Sequence, residues 1–319
     1  MKIGFIRNSV CAKIIIFLIF VKFADMILTC LLSWAVVTLS SGFMRQSPDY
    51  ESPLENQMLM GALVETLETE RYWVKVKAED YTGWITDLGL HILTDDEKDA
   101  YLRAPKWICT ADYSHVRKEP SAKSAPLCDF TMGNLVRQTG ESKDGWTEVL
   151  LPDGRTGWVP AEDVADFASW AAGRKACPCR IAKLACSFAG TPYMWGGNSA
   201  KHFDCSGLVK LCYFMNGIIL PRNASQQIQC GTPVADGQWK KGDLLFFGNA
   251  NPLRVTHVAI YLGNGKIVHS SHMVRIMTLE EYGRKPVGAV RILGNVDKGL
   301  GAVSILKDPY YFEQDGGKE

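Results

Sequence analysis

The stretch FDCSGLV at residues 203–209 decides how this chain is to be interpreted. Apolar side chains recur at helical spacing from Cys205 onward and Gly217 ends the pattern, so a helix is predicted over residues 205–215. Cys205 then lies in the first turn, where unpaired backbone N–H groups and the positive end of the helix dipole favour a thiolate. The same N–H groups can stabilise the oxyanion that forms when the thiolate attacks a carbonyl group.

Two histidines follow on a predicted hairpin. Residues 255–262 read as a strand, and a Gly-Asn-Gly turn beginning at Gly263 leads into the next strand. His257 and His269 are each six residues from Gly263 (263 − 257 and 269 − 263), so we expect them directly opposite each other on one face. Together they supply a base for the thiol proton and a third group that fixes the tautomer of that base.

Metal binding is the competing interpretation of these side chains. Cys205, His257 and His269, with His272 nearby, are also a possible ligand set, and their positions in the sequence are compatible with both interpretations.

The segment around these residues has its own pattern, which begins near residue 168. A helix over residues 178–189 precedes the cysteine helix, and strands are predicted over residues 243–247, 255–262, 266–271 and 287–293. Helices followed by an antiparallel meander indicate an α+β domain.

An internal repeat lies ahead of this domain. Residues 61–85 and 133–159 share a Leu-Val pair, a Trp-x-x-Val stretch and a final Thr-Gly-Trp followed by Ile or Val. Such self-similarity indicates two copies of one unit, and short strands at this spacing are typical of small β-barrels. We expect the tryptophans of the repeats to be core anchors: Trp73, Trp84, Trp146 and Trp158.

Composition and the amino end limit the functional classes. The chain has 319 residues and a formal net charge of +1, which is consistent with two or three globular domains and argues against a nucleic-acid partner. Basic residues precede two apolar runs, so residues 1–42 are predicted to be a signal peptide or membrane anchor, with cleavage after residue 40, 41 or 42, or with translation starting at Met26. We therefore expect an extracytoplasmic location.

The cysteines do not indicate a disulfide framework. The chain has ten, and without Cys11, Cys30 and the candidate nucleophile Cys205 seven remain (10 − 3), which cannot all pair. We expect most of them to be small core side chains.

At this point the sequence resembles the NlpC-type cell-wall cysteine peptidases, a papain-like family. The resemblance lies in an ordered set of motifs at residues 191–197, 203–209, 220–222, 242–247 and 256–261. The two repeats resemble the bacterial SH3-like barrels that accompany such hydrolases. The implied architecture is α+β, with residues 43–100 and 101–167 as two SH3-like barrels, 168–300 as a papain-like peptidase domain and 301–319 as a carboxyl-terminal tail.

The resemblance also implies roles for individual residues. Cys205 would be the nucleophile, His257 the base and His269 the orienting residue, with no metal or organic cofactor. Tyr193 would help line the oxyanion site, and the implied substrate contacts are Trp195, Asp204, Ser206 and Asn223. Many relatives have Asp-Ser after Leu-Pro-Arg where this chain has Asn223-Ala224, so that subsite departs from the family pattern.

Two barrels ahead of the peptidase domain further resemble the recycling-type members of the family. These cleave the γ-D-glutamyl to diamino-acid bond in peptides with a free amino-terminal L-Ala, and a tyrosine of the first barrel helps close their subsite. Tyr81 is the candidate here, although an exposed turn tyrosine would read the same way, and Glu51 or Glu55 could meet the ammonium group of L-Ala. The implied partners are peptidoglycan-derived peptides.

Three other functions remain compatible with the sequence. The chain could be a wall-binding protein with a vestigial catalytic unit, an endopeptidase that remodels intact peptidoglycan, or an acyltransferase acting on other amines.

Overall fold

The structure is a computed structural model, and it describes residues 33–314. The leader predicted for residues 1–42 therefore lies mostly outside the described residues. Among those described, no helix is both long and apolar enough to cross a membrane.

The first barrel is a seven-stranded antiparallel sheet with the order β3-β2-β6-β5-β4-β1-β7. Its strands are β1 Ser33–Val37, β2 Ser41–Arg45, β3 Leu54–Leu59, β4 Leu63–Glu70, β5 Trp73–Ala78, β6 Tyr81–Thr86 and β7 Leu90–Leu93. Valines of alternating positions, among them Val64 and Val76, are fully buried in its core.

The sheet of the first barrel begins before residue 43, the boundary expected from the sequence. β1 pairs with β4 on one side and with β7 on the other, so it is an interior strand of the sheet. Ala35, Val36 and Val37 are at most 1% exposed. The apolar run interpreted as part of a leader thus supplies core side chains of the barrel, and cleavage after residues 40–42 would remove β1.

The second barrel repeats the first strand for strand, with the order β10-β9-β13-β12-β11-β8-β14. Its strands are β8 Lys106–Cys109, β9 Tyr113–Arg117, β10 Pro126–Thr131, β11 Leu135–Lys143, β12 Trp146–Leu150, β13 Thr156–Pro160 and β14 Val164–Asp166. Helix α1 (Asp95–Arg103) joins the barrels and packs on the first one, where the Tyr101 hydroxyl donates to the Gly61 carbonyl at 2.7 Å.

The tryptophans of the two repeats differ in burial. Trp73 and Trp84 are buried in the first barrel, as expected for core anchors. Trp146 and Trp158 are only partly buried, and Trp146 lines an open groove with Tyr113.

The third unit is the α+β domain predicted from the sequence. Its six-stranded sheet has the order β18-β23-β19-β20-β21-β22, and helix α4 packs on one face, where Leu208, Cys212, Val258 and Ile260 belong to one hydrophobic core. The helices are α2 Phe167–Ala172, α3 Pro178–Ser187, α4 Cys205–Phe214, α5 Ala224–Gln227 and α6 Leu279–Tyr282. The strands are β15 Asn198–Ser199, β16 His202–Phe203, β17 Ile218–Ile219, β18 Thr232–Pro233, β19 Leu244–Ala250, β20 Leu253–Gly263, β21 Lys266–Ser271, β22 Met273–Thr278, β23 Gly288–Arg291 and β24 Val303–Ser304.

The described part of the expected carboxyl-terminal tail, residues 301–314, packs against the rest of the chain. Phe312 stacks on Phe167 with ring centroids 5.0 Å apart. The Tyr310 hydroxyl donates to Glu65 Oε1 of the first barrel at 2.7 Å. This segment therefore ties the first barrel to the α+β domain, because its aromatic rings bury against both.

The eight cysteines within residues 33–314 are all unpaired. Cys109, Cys212 and Cys230 are buried, and Cys128 and Cys186 pack partly buried against the cores, as expected for small core side chains. Cys177 is only partly buried and Cys179 is exposed, so these two differ from that expectation.

Candidate active site

Helix α4 begins at the candidate nucleophile. Asp204 is its N-cap, and Asp204 Oδ1 accepts a hydrogen bond from the Gly207 N–H at 2.7 Å. A Cβ at position 207 would lie 1.9 Å from the Gly197 carbonyl oxygen, so only glycine lets the first turn approach the loop before β15. The sequence FDCSG thus provides both the cap and the close approach that fix Cys205 at the helix terminus.

Arg222 fixes the position of the Asp204 carboxylate by donating hydrogen bonds to both of its oxygens. Its guanidinium is 1% exposed and donates from Nη2 to Asp204 Oδ2 at 2.5 Å and from Nη1 to Asp204 Oδ1 at 3.1 Å. Nη1 also donates to Ser206 Oγ at 3.0 Å, and Nε donates to Asn56 Oδ1 of the first barrel at 2.6 Å. Arg222 belongs to the motif at residues 220–222, but nothing in the sequence indicated this role for its side chain.

Burial favours the neutral form of the Cys205 thiol. Burial raises its pKa to about 11, and the adjacent Asp204 carboxylate acts in the same direction. Backbone hydrogen bonds at Val258 and Ser206 and the charge of Arg222 lower the pKa, but burial has the larger effect. The helix terminus therefore does not by itself produce the expected thiolate, and a base is needed to remove the proton.

The two histidines lie diagonally across the hairpin and not directly opposite each other. Ile260 pairs with Val268, and the register shifts by a bulge before Gly263. If the register of the Ile260–Val268 pair is continued along the strands, His269 lies opposite residue 259 (260 + 268 − 269). Residue 259 is two positions after His257 on the same strand. The diagonal still brings His257 Nε2 within 2.8 Å of His269 Nδ1.

Both imidazoles are neutral at pH 7. Burial, then the neighbouring His269 and Arg284, lowers the pKa of His257 to about 3. Burial, then Arg275, lowers the pKa of His269 to about 4. With Nε2 of His257 engaged by His269, its Nδ1 is the nitrogen available to take a proton.

Cys205 and His257 open onto one cavity of about 590 Å³, a size typical of small-ligand sites. The structure brings the other expected contact residues to the same wall: Tyr193, Trp195, Asp204, Ser206 and Asn223. The Trp195 side chain is 64% exposed and forms part of the rim. His269 lies behind His257, with 1% of its surface exposed.

The first barrel contributes one wall of the cavity. Glu55 of β3 lines it, and the Tyr81 hydroxyl donates to Glu55 Oε2 at 2.6 Å. Burial and the Glu55 carboxylate raise the pKa of Tyr81, so the phenol stays protonated. Tyr81 therefore reaches the cavity through Glu55, whereas Glu51 is not among the lining residues.

His272 also lines the cavity, but the ligand set considered from the sequence is not assembled. Within residues 33–314 no group of three or more His, Cys, Asp or Glu side chains is arranged to hold a metal ion.

Comparison with known families divides the chain as the fold does. Residues 190–290 match the NlpC/P60 family, residues 112–165 a bacterial SH3 domain and residues 44–90 a bacterial dipeptidyl-peptidase Sh3 domain.

Relatives extend over most of the chain. Dipeptidyl-peptidase 6 of Lysinibacillus sphaericus is 28% identical over 260 residues, covering 77% of this chain and 92% of that protein. A gamma-D-glutamyl-L-lysine dipeptidyl-peptidase of Bacillus cereus is 29% identical, covering 70% of this chain and 68% of that protein. The crystal structure of an NlpC/P60 family protein from Bacillus cereus, 26% identical, covers 82% of this chain and 100% of its own with a TM-score of 0.73. The chain therefore carries two bacterial SH3 domains followed by a catalytic domain of the NlpC/P60 family, a family of cysteine peptidases.

Proposed function

We propose that this protein hydrolyses the γ-D-glutamyl to diamino-acid bond of peptidoglycan peptides that have a free amino-terminal L-Ala, and that it acts outside the cytoplasm in cell-wall peptide turnover. The observation that carries the proposal is the Glu55 carboxylate, held by Tyr81, on the wall of the cavity that contains Cys205 and His257. Both relatives are named as dipeptidyl-peptidases, and the name of the Bacillus cereus relative specifies a γ-D-glutamyl to diamino-acid bond.

The carboxylate of Glu55 fits an ammonium group. A peptide with a free L-Ala carries this charge, whereas capping by N-acetylmuramate removes it and adds bulk on the side where the barrel stands. The first barrel is fixed at this position, because Gln57 Oε1 accepts from the Asn198 N–H at 2.9 Å and from Ser199 Oγ at 3.0 Å. A rigid wall with one negative charge favours small uncapped peptides over intact polymer.

Positive charge is present on another part of the wall. The exposed side chain of Arg254, at the start of β20, lines the same cavity. A guanidinium pairs with carboxylates, which the γ-D-Glu residue and the diamino acid both carry. The two charges together suit a zwitterionic peptide.

The reaction begins with the neutral pair of side chains. As Cys205 Sγ attacks the γ-carbonyl carbon, His257 Nδ1 accepts the thiol proton and becomes an imidazolium that His269 stabilises. Backbone N–H groups at the start of α4, with the Tyr193 hydroxyl, receive the oxyanion. The imidazolium then protonates the amine of the diamino acid, the C–N bond breaks, and a thioester remains on Cys205. Neutral His257 removes a proton from water, whose attack releases L-Ala-D-Glu and returns the proton to the thiolate.

The test uses the full chain with L-Ala-γ-D-Glu-meso-diaminopimelate, the corresponding L-Lys peptide and an N-acetylmuramoyl-capped form, with products identified by mass spectrometry. We expect L-Ala-D-Glu from uncapped peptides only. Cys205→Ala and His257→Ala should abolish turnover, and His269→Ala should leave low residual activity. The control Cys179→Ala, which alters an exposed cysteine, should retain full activity.

Other outcomes distinguish the alternatives. Equal cleavage of capped and uncapped peptides would indicate remodelling of intact peptidoglycan. Aminolysis products in place of hydrolysis would indicate acyl transfer. No cleavage together with retention on purified peptidoglycan would indicate a binding protein, and either of the last two results would contradict the proposal.

A further inference from the structure

We propose that Met277 is a positioning residue of the active site: its thioether sulfur fixes the tautomers of His269 and His257 so that the lone pair of His257 Nδ1 is free to accept the thiol proton. The inference rests on the proposed function of His257 as the base. It is carried by two contacts in series, His269 Nε2 to Met277 Sδ at 3.1 Å and His269 Nδ1 to His257 Nε2 at 2.8 Å.

The donor and acceptor roles follow from the chemistry of the sulfur. A thioether accepts hydrogen bonds and has no proton to donate, so His269 Nε2 must carry the hydrogen in this contact. In a neutral imidazole the other nitrogen, His269 Nδ1, is then an acceptor. The 2.8 Å contact therefore requires an N–H on His257 Nε2, which leaves the lone pair on His257 Nδ1.

Without an acceptor at His269 Nε2 the chain of bonds can reverse. His269 Nδ1–H would donate to His257 Nε2, and the proton of neutral His257 would move to Nδ1. That tautomer has a hydrogen where the base needs its lone pair, so it cannot take the proton from Cys205. Met277 thus favours one of the two directions of the His257–His269 hydrogen bond, which would otherwise be equally compatible with His269.

Strand pairing places the sulfur at the right nitrogen. In the β21–β22 pair, His269 lies across from Arg275 and Ile267 across from Met277. Met277 is therefore the diagonal neighbour of His269 on the same face, the relation that His257 has to His269 on the other side. The side chain is half-buried and packs with Ile267 and other apolar residues, so its position is fixed by packing.

The other polar groups around His257 and His269 are compatible with this assignment of the ring hydrogens. Arg275 of β22 and Arg284 after α6 are the charged side chains that act on the imidazoles, and both disfavour a proton on them. The Tyr282 ring of α6 packs edge-on to His269, with centroids 4.9 Å apart, and Cys205 of α4 lines the same cavity as His257. Among residues 33–314, the side-chain hydrogen bond of His269 Nε2 is the one to the Met277 thioether.

The test replaces the sulfur by groups of different hydrogen-bonding character in the full chain. Met277→Leu removes the acceptor at similar size, Met277→Glu supplies a stronger acceptor, and Met277→Lys supplies a donor. Ile276→Lys, on the other face of the same strand and 46% exposed, is the matched control for charge. Each variant is checked by thermal melting.

The first measurement is the tautomer itself. In ¹⁵N-histidine-labelled protein, two-bond proton–nitrogen correlations assign which ring nitrogen carries hydrogen. We expect His257 Nε2–H in wild type and in Met277→Glu, a mixture in Met277→Leu, and His257 Nδ1–H in Met277→Lys. This measurement needs no substrate, so it tests the inference even if the peptides proposed above are not cleaved.

The second measurement is kcat/KM as a function of pH. Loss of one hydrogen bond corresponds to a decrease of about 2- to 10-fold for Met277→Leu, and a donor in its place should lower kcat/KM by more than about 100-fold because both bonds reverse. Met277→Glu should keep activity near pH 7 and move the acid limb upward by about one pH unit, since a carboxylate favours the imidazolium. An unchanged tautomer and equal rates for the Leu and Lys variants would overturn the inference.

Discussion

Replacement of Arg222 by methionine tests how Asp204 beside the nucleophile and Asn56 of the first barrel are held together. The guanidinium is buried and makes three charge-assisted contacts with Asp204 and Ser206 and one contact with Asn56 of the first barrel. Methionine fills much of the same volume but leaves the Asp204 carboxylate, 7% exposed, without its counter-charge.

The expected cost is about 3–5 kcal/mol in unfolding free energy, the range for removing one partner of a buried ion pair. Asp204 would retain its backbone contacts with Gly207 and Gly196, so its N-cap geometry survives in part. Asp204→Asn keeps an oxygen for the cap and removes the charge. In the Arg222→Met background it should therefore recover about 2 kcal/mol, because an amide is much less costly to bury than an unpaired carboxylate.

The assay is urea unfolding of the four proteins of this double-mutant cycle, followed by tryptophan fluorescence. Peptide cleavage is measured in parallel, and we expect Arg222→Met to lose at least about 10-fold in kcat/KM because Asp204 adjoins Cys205. A cost below about 1 kcal/mol for Arg222→Met, or no recovery on adding Asp204→Asn, would refute the argument.

Four further predictions concern charge. Because the folded pKa of His257 is lowered to about 3, the neutral base persists below pH 6.5, and the acid limb of kcat/KM should lie well under that value. The unfolded chain binds a proton on His257 between pH 6.5 and about 3 that the folded chain does not, so stability should fall as pH falls through this window, as urea midpoints would show. Glu55→Gln should raise KM for uncapped peptides by about 10-fold and reduce discrimination against acetylated L-Ala, and unchanged selectivity would contradict its role. Arg254→Gln should raise KM for the diaminopimelate peptide by about 10-fold, with a smaller effect once its carboxylates are amidated; equal effects on both peptides would exclude carboxylate binding.

The repeat and the cysteine helix could be predicted because their signals are local. The Leu-Val, Trp-x-x-Val and Thr-Gly-Trp pattern recurs within short segments, and both copies fold into the same strand order. The polar cap and glycine around Cys205 fix a helix start from neighbouring residues alone, and α4 begins at Cys205. Periodicity also placed the histidine hairpin, because alternation and a Gly-Asn-Gly turn require no distant partner.

Errors arose where a residue's environment depends on distant segments. The apolar run before residue 43 reads like a leader, and only its pairing with β4 and β7 shows β1 to be part of the barrel. The hairpin turns at Asn264-Gly265 and not at Gly263, and this turn together with the bulge before Gly263 makes the expected direct pair a diagonal one. Met277 had no sequence signal, since its importance depends on a sulfur lying beside one nitrogen of His269.

The sequence by itself determined the order of the domains, the helix that starts at Cys205 and the pairing of a thiol with two histidines. These follow from periodicity, capping and turn residues, which act over a few residues. Only the tertiary structure decided that Glu55 lines the cavity, that Arg222 links Asp204 to the first barrel and that burial favours the neutral forms of Cys205 and His257. Those properties depend on which atoms surround a charge, and folding brings those atoms together from parts of the chain more than a hundred residues apart.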